Sequence, residues 1–155
     1  MPEKQNTFLQ DDNELRLLNL TTVEKYMNMN GPRLNRYQLF TDDCQIISPF
    51  TEYGKPETFS GIEQVAQRDK DTTEIFPDWT WSNVKIFQTQ DPNYFWVECD
   101  GGGQAFLPGH PPAHHSDHFI HSFQMENGKI KIYREFRNPV KELMDFGLEI
   151  PHIKK

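Results

Sequence analysis

The chain has 155 residues, a length typical of one domain that can bury a core without disulfides or a structural metal. Its formal net charge of −7 and pI near 5.3 disfavour nucleic acid and anionic membranes as partners, because no lysine or arginine cluster is present to neutralise phosphates. No apolar run approaches the roughly 18 residues of a membrane helix, and the N-terminus lacks signal-peptide character, so we expect a cytoplasmic protein that binds small molecules.

The N-terminal part of the chain predicts a helix after a short tail. Residues 1–10 lack apolar periodicity and are interpreted as a loose tail, followed by a single domain over residues 11–155. Apolar residues recur at three- and four-residue intervals from Leu15 to Met29, which is the pattern of one helix face. Gly31 and Pro32 are expected to end this helix, since glycine tolerates the left-handed conformation and proline breaks the hydrogen-bond ladder.

Two further helices are predicted before the chain changes to strands. A short second helix is expected over residues 33–40, with its arginines, including Arg36, free to reach outward. Residues 60–76 begin with a capping-box pattern and continue with apolar residues at helical spacing, which predicts the third helix. Arg68 and Thr72 are four residues apart on that helix and therefore share a face.

The rest of the chain predicts β-strands and a short final helix. Strands are expected at residues 44–50, 58–59, 79–90, 94–100 with a resumption at 104–107, 118–126 and 129–137. A break in alternation near Asn83 predicts a bulge. The Asn-Gly pair at residues 127–128 fits a type I′ turn, because both positions need positive φ, so the last two strands form a long hairpin. Asn138 is expected to cap a short C-terminal helix that Gly147 closes.

This order of elements indicates an α+β fold. Helices, a short hairpin and another helix precede four long antiparallel strands. We expect a cone-shaped, strongly curved antiparallel sheet with helices packed on its concave face, whose mouth forms a ligand pocket. An aromatic content of 13% favours a pocket or an interface lined by rings.

The second strand of the long hairpin carries the first candidate for chemistry. Strand alternation puts Lys131, Tyr133, Glu135 and Arg137 on one face, with the isoleucines at 130 and 132 on the other. A carboxylate late in an aromatic-rich strand is either a solvated outer residue or an acid/base group with a raised pKa in a pocket. Spacing alone favours the solvated alternative.

Five histidines fall between residues 110 and 121 and raise the question of a metal site. Strand alternation places His115 and His121 on one face and His114 and His118 on the other, so three ligands do not converge. The cysteines at 44 and 99 also lack metal or redox spacing. We therefore expect no metal. His121 either lines the pocket or is a core histidine with satisfied hydrogen bonds, and His115 could reach the mouth.

Several long, aromatic-rich motifs carry a resemblance to a known family. They are Phe-Pro-Asp-Trp-Thr-Trp-Ser-Asn-Val-Lys-Ile-Phe at 76–87, Asp-Pro-Asn-Tyr-Phe-Trp-Val-Glu-Cys-Asp-Gly at 91–101, His-Phe-Ile-His-Ser-Phe at 118–123, Arg-Glu-Phe-Arg-Asn-Pro at 134–139 and Gly-Leu-Glu-Ile-Pro at 147–151. Together, and in this order, they resemble the phenazine-biosynthesis A/B protein family over nearly the whole chain from the first helix onward.

The resemblance implies a fold, an assembly and a reaction. The family has the ketosteroid-isomerase-like cone fold of the nuclear transport factor two class, is similar to SnoaL-like polyketide cyclases, and is homodimeric. Its implied reaction joins two molecules of an amino-oxo-cyclohexene carboxylate, each amine attacking the other's ketone, to give a tricyclic phenazine precursor. Acid/base catalysis without a metal or an organic cofactor is implied.

The resemblance also implies roles for individual residues. The family's acid/base glutamate falls on Glu135, which makes the pocket interpretation of this residue the preferred one. Arg36 matches an arginine that reaches the neighbouring subunit's site. Active members carry a histidine and a serine on the third helix, where this chain has Arg68 and Thr72. Thr72 can still donate a hydrogen bond, and Arg68 can bind a carboxylate but cannot move protons near neutral pH.

Tyr133, His115 and His121 complete the set of expected substrate-binding residues. Three functions stay open at this point. They are the condensing enzyme of phenazine biosynthesis, another cone-fold isomerase or cyclase acting on a flat ring ketone, and a catalytically weak binding subunit that supports an active paralogue, as a homodimer or a heterodimer. The arginine at 68 leaves the catalytic rate open, because it replaces one acid/base partner.

Overall fold

The computed structural model describes the backbone of residues 2–29 and 33–150 and the side chains of residues 12–29 and 33–150. Its elements are α1 (Pro2–Met27), a single 3-10 turn (Arg36–Leu39), β1 (Phe40–Ser48), β2 (Glu57–Ser60), α2 (Ile62–Ile75), β3 (Thr80–Gln88), β4 (Tyr94–Ala105), β5 (Ala113–Glu126), β6 (Lys129–Phe136) and α3 (Pro139–Asp145).

All six strands form one sheet in the order β2-β1-β6-β5-β4-β3. The last four strands are joined by successive antiparallel hairpins, as the sequence predicted. Strand β1 lies parallel to β6, a pairing that sequence patterns did not indicate. It joins the N-terminal third of the chain to the C-terminal hairpin, and it thereby puts α2 and β6 on the same side of the molecule.

The core lies between the concave face of the sheet and helices α1 and α2. Tyr26 of α1 is its centre, with ring centroids 6.0 Å from Phe40, 5.4 Å from Phe123 and 4.8 Å from Tyr133. Val65 of α2 is fully buried against the same cluster. Aromatic rings bury a large apolar area each, so this contact between helix and sheet contributes much of the hydrophobic stabilisation.

The Asn-Gly turn anticipated at the tip of the long hairpin is present. Asn127 has φ +49 and Gly128 has φ +82, the positive values that a type I′ turn requires. Helix α1 docks on this turn through Asn19, whose side-chain oxygen accepts from the Gly128 N–H at 2.9 Å. The amide nitrogen of Asn19 donates to the Pro92 carbonyl at 2.9 Å. One buried side chain therefore ties α1 to two hairpin turns.

Helix boundaries in the N-terminal half differ from the predictions. The loose tail predicted for residues 1–10 is wrong, because α1 begins at Pro2. Proline suits the first position of a helix, and a polar stretch can extend a helix that is already nucleated, without an apolar face. The Gly31 and Pro32 stop lies outside the described residues.

The second predicted helix is reduced to the 3-10 turn Arg36–Leu39, because Phe40 already pairs with Ile130 in the sheet. Helix α2 lies within its predicted range but is shorter at both ends, and its cap differs from the prediction. Gly61, at φ +84, is the N-cap and no side chain caps the helix there. Ser60 instead belongs to β2, where it pairs with Gln45.

The prediction from strand alternation is also wrong at one point of the long hairpin. The register shifts between Gln124 and Met125, which pair with Ile132 and Ile130. Ile130 is consequently fully buried while Ile132 is half-buried, although the sequence predicted one face for both. The extra residue, Lys131, is a β-bulge. The bulge predicted near Asn83 is confirmed by a register shift between Ser82 and Lys85 and by φ +51 at Asn83.

We predict that Gly101→Ala destabilises the fold. Strand β4 runs without interruption through its three glycines, and a Cβ at Gly101 would lie 2.6 Å from the Trp79 ring and 2.7 Å from the Trp81 ring. Both rings are buried and pack edge to face, so the overpacking is expected to lower the free energy of unfolding by about 1–3 kcal/mol in urea denaturation. Gly102→Ala is the control, because its nearest contact would be an ordinary 3.4 Å. Equal losses in both variants would contradict the prediction.

Candidate active site

A pocket of about 300 Å³ opens between the concave face of the sheet and the three helices. This volume is at the lower end of the roughly 300–1,000 Å³ range of small-molecule sites. One wall is aromatic and consists of Tyr26, Phe59, Phe76, Trp79, Trp81 and Phe119. Trp81 stands edge to face on both Trp79 and Phe119, with centroid distances of 5.5 Å and 5.1 Å. Flat rings can therefore be held between apolar surfaces.

Charged side chains line the rest of the pocket. The arginines are Arg33, Arg36, Arg68 and Arg137, and the acids are Glu52, Glu57, Asp71, Glu135 and Glu142. Buried charges need partners, because transfer out of water disfavours an isolated ion by several kcal/mol or more. The pairing of these groups decides what the pocket can bind and which protons it can move.

Glu135 faces this pocket beside Tyr133, as predicted from strand alternation together with the family resemblance. Its side chain is 16% exposed and lines the cavity. One carboxylate oxygen, Oε2, accepts a hydrogen bond from the Tyr133 hydroxyl at 3.0 Å and lies 3.8 Å from Nη2 of Arg68. Burial raises the pKa of Glu135, but Arg68 above all, with smaller contributions from His121, the Tyr133 hydrogen bond and Arg137, keeps the pKa below its ordinary value.

Tyr133 and His121 form a second layer behind Glu135. Both are fully buried, and neither lines the pocket, which corrects the prediction that they contact substrate. Nδ1 of His121 lies 2.7 Å from the Tyr133 hydroxyl, and Nε2 lies 3.4 Å from Sγ of Cys99. The strand register explains the cluster, because His121 is paired with Glu135 on one side and with Val97 on the other.

The donor and acceptor of each hydrogen bond in this chain follow from its last member, the Glu135 carboxylate, which can only accept. Tyr133 donates its only proton to the Glu135 carboxylate, so it accepts from Nδ1–H of His121. Burial lowers the pKa of His121 to about 4, so the ring is neutral at pH 7 and Nε2 carries no proton. Nε2 is then the acceptor for the Cys99 thiol. His121 is thus a core histidine that orients Tyr133, and Tyr133 holds the carboxylate.

Arg68 projects from α2 into the pocket, as anticipated. Its guanidinium lies beside Glu135 and 5.7 Å from the centre of the Phe59 ring. Arg36 does not reach outward, contrary to the prediction. Its side chain is 2% exposed, stacks 4.2 Å over the Tyr26 ring, donates to the Met29 carbonyl and lines this chain's own pocket. The 3-10 turn Arg36–Leu39 thus places this arginine in the pocket wall.

Arg33 is a pocket arginine to which the sequence analysis gave no role. Burial and the neighbouring charge of Arg36 lower its pKa to about 10, so it remains charged at neutral pH. The Nε atoms of Arg33 and Arg36 are buried and have no hydrogen-bond partner in the described part of the chain. Two adjacent guanidinium groups with unused donors can bind an anion such as a carboxylate.

Thr72 and His115 lie at the pocket but are already engaged. The Thr72 hydroxyl bonds back to the Arg68 carbonyl at 2.7 Å, so in this rotamer it offers lone pairs and no proton, contrary to the prediction. His115 lines the pocket, and its Nδ1 lies 2.9 Å from Asp145 of α3. Its ring packs on Phe76 and Trp79. His115 therefore fastens α3 to the sheet and shapes the mouth.

Arg137, Glu52 and Glu142 are pocket residues that the sequence analysis did not assign to the site. Arg137 shares a strand face with Glu135, and this alternation was the only signal available. Its guanidinium joins Glu52 of the turn after β1 to Glu142 of α3, at 3.1 Å and 2.6 Å. Contacts between three separate segments cannot be read from local spacing.

Neither a group of metal ligands nor a membrane-spanning helix is found among the described residues. Within residues 12–29 and 33–150, no three histidine, cysteine, aspartate or glutamate side chains are grouped as metal ligands. No helix in the described part of the chain combines the length and apolarity needed to cross a membrane.

The comparison with known proteins decides the family. The whole chain, residues 1–155, matches the family described as "Phenazine biosynthesis protein A/B". The chain belongs to this family. It is 48% identical over 146 residues to phenazine biosynthesis protein PhzA1 of Pseudomonas aeruginosa, in an alignment that covers 94% of this chain and 90% of that protein. It is 45% identical over 146 residues to PhzB of Pseudomonas fluorescens, with the same two coverages.

Solved structures agree with this membership and confirm the predicted fold. A phenazine biosynthesis-related protein, PhzB2, of Pseudomonas aeruginosa superimposes with a TM-score of 0.89 at 42% identity, covering 95% of this chain and 96% of that one. A protein with a ketosteroid isomerase-like fold from Catenulispora acidiphila gives a TM-score of 0.62 at 16% identity, covering 80% and 87%, and shows the fold alone. This member of the phenazine A/B family thus has the predicted cone-shaped α+β fold.

We predict that Tyr133→Phe raises the pKa of Glu135 and removes part of the protein's acid sensitivity. A carboxyl with a lowered folded-state pKa stabilises the fold above its unfolded-state pKa, and this stability is lost as pH falls through the folded-state pKa. Without the tyrosine hydroxyl, the loss on acidification should be smaller. The variant should also lose about 1–3 kcal/mol at neutral pH, because the buried His121 donor has no acceptor.

Urea denaturation between acidic and neutral pH measures both effects. Tyr94→Phe is the matched control, since Tyr94 precedes the outward-facing Trp96 and lies far from Glu135 in the register of β4. An identical pH dependence in wild type and Tyr133→Phe would show that the hydroxyl does not hold the carboxylate.

Proposed function

We propose that the protein condenses two molecules of an amino-oxo-cyclohexene carboxylate to a tricyclic phenazine precursor, with Glu135 as the acid/base group. The observation that carries the proposal is the buried Glu135 carboxylate in an arginine-rich, ring-lined pocket of a phenazine A/B family chain. A cytoplasmic location belongs to the same proposal, supported by two buried cysteines that are free thiols.

Binding and orientation are the first contribution of the pocket. Arg36 and Arg68 can hold substrate carboxylates, with Arg33 as a further donor, while Trp81 and Phe119 flank the rings. Holding two reactants with amine next to ketone converts a bimolecular step into an intramolecular one. This effect alone can lower the barrier by about 7–11 kcal/mol in favourable geometries.

Proton transfer is the second contribution. An amine nitrogen attacks a ketone carbon, and the resulting carbinol loses water when its oxygen receives a proton and the C–O bond breaks. A C=N bond forms, and a base takes the proton from nitrogen or from the adjacent carbon. Because Arg68 keeps Glu135 ionised, Glu135 is well suited to the base role at neutral pH and poorly suited to the acid role.

The Arg68–Glu135 pair favours a slow enzyme, and it also supports the second candidate function, a catalytically weak subunit that assists an active paralogue. We expect Arg68→His to raise the condensation rate by about one to two orders of magnitude, since a histidine can shuttle protons and no longer holds Glu135 ionised. Carboxylate binding should weaken, because a bidentate group is replaced by a single donor.

The measurement is the initial rate of tricycle formation from freshly generated aminocyclohexenone carboxylate, across pH. Glu135→Gln should lose about 10²-fold or more of the wild-type rate. Lys70→His, an exposed position on the same helix, is the matched control for Arg68→His. A wild type and an Arg68→His variant that both fail to form product would leave the support-subunit function as the better description.

A homodimer through the outer face of the sheet is the assembly we propose. Trp96 is exposed between the buried Phe95 and Val97, and its ring lies 5.7 Å from Tyr94 and 6.0 Å from Phe136. Ile120, on the neighbouring strand, is exposed as well. An exposed aromatic patch of this kind is typical of a protein–protein contact surface.

We expect wild-type protein to sediment as a dimer at micromolar concentration and Trp96→Lys to sediment as a monomer, because a charge in an apolar interface is strongly unfavourable. Leu17→Lys provides the control, since this leucine is exposed on α1 and away from the sheet. A monomeric wild type would contradict the proposed assembly.

A further inference from the structure

A second set of carboxyl groups lies in the pocket, apart from the one that Arg68 and Tyr133 hold. Arg137 follows β6 and bridges Glu142 of α3, whose side chain is 17% exposed, to Glu52, whose side chain is 28% exposed. All three side chains line the same cavity as Glu135. Helix α3 is held against the sheet at this place through Asp145 and His115, so Glu142 is positioned by the fold.

The charges in this group do not balance. One guanidinium stands between two carboxylates, and Arg137 can neutralise only one of them. Glu135 of β6 and Asp117 of β5 add further negative charge around Glu142. In a partly buried site, the repulsion caused by an excess carboxylate is removed most simply by protonation, as in other carboxyl groups that share a site.

The pKa of Glu142 agrees with this excess of negative charge. Burial raises its pKa to about 7, and the repulsion of Glu52, Glu135 and Asp117 acts in the same direction against the attraction of Arg137. Glu135 is shifted the opposite way by Arg68. Two carboxyl groups in one pocket with pKa values displaced in opposite directions are the arrangement that divides acid and base roles between them.

We propose that Glu142 is the proton donor of the pocket and works together with Glu135, which serves as the base. The inference rests on the proposed condensation and names the acid which that reaction needs. It also accounts for how a chain with Arg68 in place of a histidine retains an acid. Arg137 acts as a positioning residue, because its Nη1 donates a hydrogen bond to Oε2 of Glu142 at 2.6 Å, which orients the carboxyl.

Glu142 gives its carboxyl proton to the carbinol oxygen, the C–O bond breaks with its electrons on the departing water, and the nitrogen lone pair forms the C=N bond. Glu135 then accepts the proton from nitrogen or from the adjacent carbon. Proton return from Glu135 through solvent to Glu142 restores both groups, and one water is released for each C=N bond formed.

The test compares Glu142→Gln with Glu149→Gln, a matched loss of one carboxyl at an exposed position that does not line the pocket. A general acid works only when protonated, so the wild-type condensation rate should fall as pH rises through about 7. Glu142→Gln should lower the rate about 10²-fold or more and abolish this alkaline limb, while Glu149→Gln changes neither. Glutamine keeps an oxygen for Arg137, and the Tm of each variant checks that the fold is intact.

A second measurement needs no substrate. Carbon-13 NMR of glutamate-labelled protein should show a carboxyl signal that titrates near pH 7 in wild type and is missing in Glu142→Gln. An active wild type with an unaffected Glu142→Gln rate and pH profile would overturn the inference and leave the proposed function standing. An inactive wild type would overturn the proposed function, and a Glu142 signal that titrates in the ordinary carboxyl range would independently overturn the inference.

Discussion

Burial of charge is the constraint on which the pocket depends. Four arginines and several carboxylates lie inside a cone whose other wall is aromatic, and each ion must find a partner there or change its protonation. Glu135 meets this requirement through Arg68 and Tyr133, and Arg137 meets it with two glutamates. The protonation states that make chemistry possible are therefore consequences of how the charges were enclosed. They are not properties of the individual side chains.

The sheet and the helices contribute different parts of this arrangement. The register of β4, β5 and β6 puts Cys99, His121, Tyr133 and Glu135 in one hydrogen-bonded line, with rigid strands fixing every member. Helices α2 and α3 bring charged groups to the pocket beside this line, Arg68 from α2 and Glu142 from α3. A substitution on a helix can thus change the charges in the pocket while the strand cluster stays unchanged.

Much of this architecture could be predicted from the amino-acid sequence. The long hairpin followed from Asn127-Gly128, the bulge from the alternation near Asn83, and the shared face of Glu135 and Tyr133 from period-two spacing, while the family resemblance predicted that this face points inward. These features depend on neighbours in sequence, where backbone sterics and alternation act directly. Predictions that needed distant partners were weaker. Helix α1 begins at Pro2, inside the predicted loose tail, the helix over 33–40 is one 3-10 turn, and Arg36 points inward.

By itself, the sequence determined the α+β class, the family and, through the family motifs, the acidic residue of the inner strand face, because motifs and periodicity are local. Only the tertiary structure decided the parallel β1–β6 pair, the neutral His121 behind Tyr133, and the meeting of Arg137 with Glu52 and Glu142. Electrostatic interactions act through space, and the groups concerned come from segments up to 85 residues apart. The opposite pKa shifts of Glu135 and Glu142 therefore arise only once the cone is closed.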